Sequence, residues 1–298
     1  GMDVDLKMAS RVSGIDVIFG GHTHDGVPQP TVVKNSGGKT LVTNAGSNGK
    51  FLGVMDLDVR NGKVQGYRYR LMPVFSNLLE ADAEMFRYIE KVRAPYRKKL
   101  RKKLAVADQT LYRRGNFNGT FDQVICDALR EVNDAEISLS PGFRWGTTVL
   151  GGQSITFENV MDQTCITYPN TYRREMTGDE IKTILEDIAD NLFNTDPYYQ
   201  QGGDMVRVAG LDYTLAPNGT IGKRVSDLRL DNGKKIEGSK KYTVSGWASV
   251  NSIPDGKPIW DVVTEYLQDK KTVKIKKMNL PKLAGVKGNP GLSSYGKV

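Results

Sequence analysis

The 298-residue sequence predicts an α+β fold in two domains joined by a basic helix. Three observations carry that expectation. Near the N-terminus, two runs of strand character flank Asn61-Gly62-Lys63, a tight hairpin signal because Asn and Gly tolerate positive φ. Further along, two stretches repeat their apolar residues at helical spacing. Strand and helix signals there do not alternate regularly, which favours mixed packing over a doubly wound parallel sheet.

In chain order, residues 15–19 (IDVIF) form a short, β-branched-rich apolar run bounded by glycines and read as a buried strand end. Strands are next expected at 40–43, 50–59 and 63–71, the last two joined by the hairpin. Residues 79–104 read as a linker helix. Its stretch 87–103 carries nine Lys or Arg against the single Glu90, and Pro95 should kink or break it. A solvated face accounts for that charge, with docking of an acidic protein as the alternative. No aromatic-interleaved basic platform accompanies it, so nucleic acid is not an expected partner.

A second domain, 105–277, begins near Ala105. Phe121, Val124, Ile125, Ala128, Leu129 and Val132 share one helical face, and 135–141 reads as a short strand. Thr177 and Glu180 make a Thr-x-x-Glu capping box, opening a helix whose buried stripe is Ile181, Ile184, Leu185, Ile188 and Leu192. Strands at 205–214 and 241–249 and a helix at 259–268 complete the domain. Residues 278–298 form a tail whose glycine-rich end, from Ala284, reads as a loosely ordered strap.

The composition, 39% hydrophobic and 26% charged, is that of a globular protein with room for two cores. No apolar run approaches the length of a membrane span, so no membrane partner is expected. Cys126 and Cys165 show no metal or redox spacing and read as buried small apolar residues rather than as a disulfide.

Both histidines of the chain, His22 and His24, lie in Gly20-Gly21-His22-Thr23-His24-Asp25-Gly26, directly after the first apolar run. The glycines let the backbone turn sharply, so two imidazoles project from a rigid strand end. Imidazole suits zinc, manganese or iron, and two ligands on one loop lose less freedom on binding than two scattered ones. Two surface histidines in a polar turn are the plain alternative, and the position directly after a strand favours metal. The ligand count is short, since a catalytic metal takes about three protein ligands and a two-metal site about twice as many. Asp25 is the single local carboxylate. The remaining ligands are therefore expected upstream, the chain is expected to be a C-terminal part of a larger enzyme, and Gly1 ahead of Met2 to be an appended residue.

The runs DVIFGGHTHDG (16–26), TNAGSNGKFLGVMDLDV (43–59), EISLSPGFRWG (136–146), REMTGDEIKTILE (174–186) and GGDMVRVAG (202–210) together resemble the calcineurin-like metallophosphatases of the 5′-nucleotidase type. Within that superfamily the chain resembles the SoxB family, the thiosulfohydrolases of bacterial sulfur oxidation. The resemblance implies the remnant of a four-layer α/β/β/α metallophosphatase domain over 1–78, then a 5′-nucleotidase-type C-terminal α/β domain. It makes His22 and His24 ligands of a centre holding two manganese ions (Mn2+) in the full-length enzyme, with none expected to stay on this chain alone. The family's Asp-x-His and Asn-His elements are absent here.

The resemblance also sets Arg144 of "LSPGFR" where nucleotidases hold the substrate phosphate. A guanidinium fork grips phosphate, sulfate or sulfonate alike, and a surface ion pair is the plain alternative. Tyr168 and Trp247 fall in the stretches that supply base-stacking rings in nucleotidases; here they line the cleft or belong to the core. Asp204 stands where nucleotidases tend to carry an aromatic, and Gly203 would let a peptide backbone approach. The implied reaction is release of sulfate from a cysteine S-thiosulfonate on the C-terminal arm of the SoxYZ carrier protein, in the periplasm. The alternatives are a periplasmic 5′-nucleotidase or related phosphoesterase, and an isolated carrier-binding module.

Overall fold

The structure, a computed structural model, describes residues 1–113, 115–143, 145–200, 203–250 and 254–286. It is α+β and divides into two compact units, Gly1–Arg93 with Thr195–Gly202, and Ala94–Asn194 with Gly203–Val298.

The first unit opens with α1 (Met2–Arg11), which the sequence reading did not anticipate. Three strands follow: β1 (Val17–Gly20), β2 (Thr31–Asn35) and β3 (Gly38–Asn44). They form a sheet of order β1-β3-β2, with β1 parallel and β2 antiparallel to β3. Helix α1 lies on this sheet and buries Ala9 with Leu41 and Val42. Gly20 allows that approach, because a Cβ there would stand 2.6 Å from the Asp5 carboxylate.

Strands β4 (Phe51–Arg60) and β5 (Lys63–Pro73) pair as the expected hairpin. Its turn residues Asn61 and Gly62 sit at φ 51° and 71°, the left-handed geometry that matches strand twist. Neither this two-stranded sheet nor α2 (Ala83–Arg93) contains a buried residue. The segment after Thr195 joins the first unit through α1: Lys7 pairs with Asp196, and Lys7 and Arg11 lie over the Tyr198 ring at 4.5 and 5.4 Å.

The linker is not one helix. Pro95 sits in a 3-10 turn, Ala94–Tyr96, between α2 and the short α3 (Arg97–Leu100), as its missing N–H requires. The second unit continues with β6 (Lys103–Ala107), α4 (Thr120–Val132), β7 (Ile137–Gly142), β8 (Ser154–Thr156), α5 (Phe157–Thr164), β9 (Thr171–Thr177) and α6 (Gly178–Phe193). After it come β10 (Asp204–Ala209), β11 (Leu211–Leu215), β12 (Val225–Leu230), β13 (Lys241–Trp247), α7 (Ile259–Lys270), β14 (Thr272–Val273) and β15 (Lys282–Leu283).

Its central sheet has the order β10-β7-β13-β9, with β7 and β13 parallel and the outer pairs antiparallel. Smaller sheets are β12-β11-β15 and β14-β6-β8. The single strand expected at 205–214 is two strands. Gly210 breaks it, at φ 76° and with room for no Cβ, which would meet the Glu136 carbonyl oxygen at 2.1 Å.

Two cores fill this unit. In one, Phe121, Ile125 and Leu129 of α4 meet Val262, Val263 and Leu267 of α7; in the other, Ile181 and Leu185 of α6 meet Ile137, Met205 and Val244. The Thr177 capping box is formed, with Glu180 N–H donating to Thr177 Oγ1 (3.2 Å) and Thr177 N–H to Glu180 Oε2 (2.7 Å). Cys126 is buried as expected, and its thiol is pushed up by desolvation; Cys165 is exposed, and both are free. In the tail, Asn279 is buried and donates to the Leu211 carbonyl (3.2 Å), while β15 extends the β11 sheet. The expected strap lies, from residue 287 onward, outside the described residues.

Candidate functional site

In the first unit, β1 delivers the chain into the histidine turn. His22 and His24 both adopt positive φ, 68° and 63°, a strained conformation for a side chain with a Cβ and one that concentrates at functional positions. The turn is fixed by its neighbours. Thr23 N–H donates to the Gly21 carbonyl (2.8 Å), Asn44 Nδ2 reaches the same oxygen (3.4 Å), and Gly46 N–H donates to the Asp25 carbonyl (2.7 Å). The Thr23 hydroxyl donates to the Asp25 carboxylate. His22 is exposed and His24 half-buried. Among the described residues no three His, Cys, Asp or Glu side chains gather closely enough to hold a metal ion. Two imidazoles are one short of the roughly three protein ligands of a catalytic site.

In the second unit, β7 ends at Gly142 and the segment 143–147 follows. Arg144 lies outside the described residues, as do Gln201 and Gly202. The described residues Pro141 and Thr147, on either side of Arg144, are each held by hydrogen bonds. On the first side, Arg113 Nη2 donates to the Pro141 carbonyl (3.1 Å), Nη1 to the Gln163 carbonyl (2.5 Å) and Nε to Asp122 Oδ1 (2.7 Å). At the other, Thr147 N–H and hydroxyl both donate to Asp162 Oδ2 (2.6 and 2.7 Å), and Gln163 Nε2 donates to the Thr147 carbonyl (2.7 Å). Gly146 admits that glutamine: a Cβ there would lie 2.3 Å from Gln163 Oε1.

Between the anchors, Phe143 and Trp145 stack with ring centroids 3.8 Å apart and planes 18° from parallel. Trp247 meets Phe143 edge-on at 5.9 Å. Its indole N–H donates to Ser140 Oγ (2.8 Å) and the residue is 4% exposed, so of its two expected placements it takes the core. Tyr168 is 46% exposed, on the segment leading into β9. Gly203, at φ 88°, has open space where a side chain would be and leads into β10, whose Asp204 stands opposite Gly142. The structure therefore brings Gly203 and the 143–147 segment to one end of the same strand pair, with Trp247 packed against Phe143.

Beneath that end lies a buried charge cluster the sequence reading missed. Asp122 sits between Arg113 and Arg207, whose Nε is 3.5 Å from Asp122 Oδ2. Arg207 Nη2 also donates to Asp204 Oδ2 (2.9 Å) and to the Gly115 carbonyl (2.8 Å). All four side chains are 0–1% exposed. Buried charges persist only when paired and hydrogen-bonded, so a lone arginine inside the apolar run Met205–Ala209 was a signal that could have found the cluster.

Comparison with known proteins follows the same lines. Residues 102–259 match the family described as 5′-nucleotidase, C-terminal domain. Among solved structures, the sulfate thiohydrolase SoxB of Thermus thermophilus in complex with glycerol superposes with a TM-score of 0.88 at 35% identity, covering 96% of this chain and 54% of that one. A 5′-nucleotidase precursor, also from Thermus thermophilus, gives a TM-score of 0.79 at 20% identity, covering 96% and 63%, a likeness of fold. The trifunctional nucleotide phosphoesterase protein YfkN of Bacillus subtilis (strain 168) is 28% identical over 249 residues, 79% of this chain and 16% of that protein. The chain thus spans only part of each relative's length.

Proposed function

The chain belongs to the 5′-nucleotidase C-terminal domain family, and we propose that it carries the substrate-binding part of a metallophosphatase-superfamily hydrolase that releases sulfate from a cysteine S-thiosulfonate on the SoxYZ carrier protein. The observation that carries this reading is what stands at the nucleobase-stacking positions. Asp204 is buried against Arg207, and Trp247 is packed into the core with its N–H on Ser140. Of the two expected rings, Tyr168 is exposed and Trp247 is not, so these two stretches do not present a pair of exposed rings. The 35% identity to SoxB supports the same choice.

In this reading Arg144 grips the sulfonate oxygens through its planar fork, and Gly203 gives a glycine-rich peptide arm room to pass. His22 and His24 would contribute two imidazole donors to the manganese centre implied by the family likeness. The described residues bring no third donor to that turn, so the hydrolytic step is not assigned to side chains of this chain. A periplasmic location accompanies the proposal; among the described residues no helix is long and apolar enough to cross a membrane.

A second reading, a nucleotide or phosphate-ester hydrolase, is favoured by the family match and by the likeness to YfkN. It predicts phosphate release from AMP. For the proposed reading, Arg144→Ala in the complete enzyme should lower kcat/KM for the thiosulfonate about 100-fold, in keeping with the roughly 1.5–3 kcal/mol of a charged hydrogen bond. Unchanged kcat/KM would remove Arg144 from the site.

A further inference from the structure

We infer that Arg113 is a positioning residue that holds the residues on either side of Arg144, 141–143 and 145–147, in place for binding of a tetrahedral oxyanion, an inference resting on the reading above that this stretch binds substrate. Arg113 is 2% exposed, so its charge meets neither solvent nor a ligand directly. Three of its donors are committed, one each to Asp122, the Gln163 carbonyl and the Pro141 carbonyl. Its guanidinium also lies 5.6 and 5.7 Å from the Phe143 and Trp145 ring centroids, so it touches the segment both by hydrogen bond and through the aromatic pair.

Long-range attraction is not its role. Among the described residues, Arg113 and Arg207 are matched by Asp122 and Asp204. What it supplies is geometry. Gln163 closes the frame, accepting from Arg113 through its backbone and holding Thr147 through its side chain. Flanking residues held before ligand arrives lower the entropy cost of binding. Lysine at 113 would keep a positive charge but could not reach three acceptors in a planar fork.

The test is Arg113→Lys in the complete enzyme, with steady-state kinetics and near-ultraviolet circular dichroism; Trp145→Phe assigns the band of the stacked pair. The expected result is KM raised about tenfold, kcat within about twofold, and a loss of that band. A folded Arg113→Lys enzyme with unchanged KM and an unchanged band would overturn the inference. If this variant does not fold, Phe143→Leu removes the ring beside the guanidinium and spares the Asp122 pair; it should raise KM likewise, and an unchanged KM would overturn the inference. Arg144→Ala separates the two ideas. If Arg144→Ala raises KM and Arg113→Lys does not, the positioning role fails while the substrate reading stands. If Arg144→Ala changes nothing while Arg113→Lys still abolishes the band, the oxyanion role of the segment fails and only its locking by Arg113 survives.

Discussion

The two units hold their candidate site turns in opposite ways. In the second, helices α4 and α6 bury Phe121, Ile125 and Leu185 completely, and Pro141 is held by the buried, paired Arg113. In the first, the buried apolar residues are Ala9, Leu41 and Val42, while the hairpin β4–β5 leaves Leu52 53% and Val59 57% exposed. The histidine turn is instead fixed by backbone hydrogen bonds and strained φ values. Burial of apolar surface is the main stabilising term in folding, so the second unit should carry most of the chain's stability. The proposed substrate-binding stretch is built on the stable part and the imidazoles on the thin one.

That contrast can be broken most severely at Asp122. Asp122→Ala leaves two buried guanidinium groups without their shared carboxylate and should cost about 3–5 kcal/mol in urea unfolding followed by tryptophan fluorescence. A loss below about 1 kcal/mol would mean that water reaches the cluster. Next, Leu185→Ala removes a fully buried side chain from the second core and should cost about 2–5 kcal/mol by the same measurement.

A pH effect of intermediate size is expected from Asp127. Burial raises its carboxyl from the ordinary 3.8 to about 6, against the opposing hydrogen bond from Gln123. The folded state then binds more protons than the unfolded chain between those values. Stability is therefore highest below about pH 4 as far as this group is concerned, and falls by about 3 kcal/mol as pH rises through about 6. Asp127→Asn should flatten that part of the stability profile, and a profile of wild-type slope would show the carboxyl to be solvated. The smallest effect sharpens the contrast from the other side. Leu52→Ala, on the exposed hairpin, should change stability by less than about 0.5 kcal/mol; a cost equal to that of Leu185→Ala would show a hidden core in the first unit.

What could be seen in the sequence follows the same division. Helices α4, α6 and α7 were legible because each presents an apolar stripe at helical spacing to a core, and Thr177 marked where α6 begins. Helix α1 was not, since it buries only Ala9 and its apolar stripe is correspondingly faint. Helix α5 was missed because it has eight residues and its capping box uses Asn159 where Glu or Gln is the usual signal. Strand β2 lies at a sheet edge and is half exposed, so its pattern carried little weight. For the site, the strand-to-turn context pointed to His22 and His24, whereas Arg207 reaches Arg113 and Asp122 from a distant part of the chain. Residue type announces that a buried charge needs a partner, but only the fold says which one.

On the proposed reading the substrate is a sulfonate and not a nucleotide. The direct measurement incubates the complete, manganese-loaded protein separately with an S-thiosulfonated carrier and with AMP, and follows sulfate and phosphate. Release of sulfate with no phosphate is the predicted result. Phosphate release from AMP without sulfate would contradict it and place the chain, buried Trp247 and Asp204 notwithstanding, with the nucleotide hydrolases.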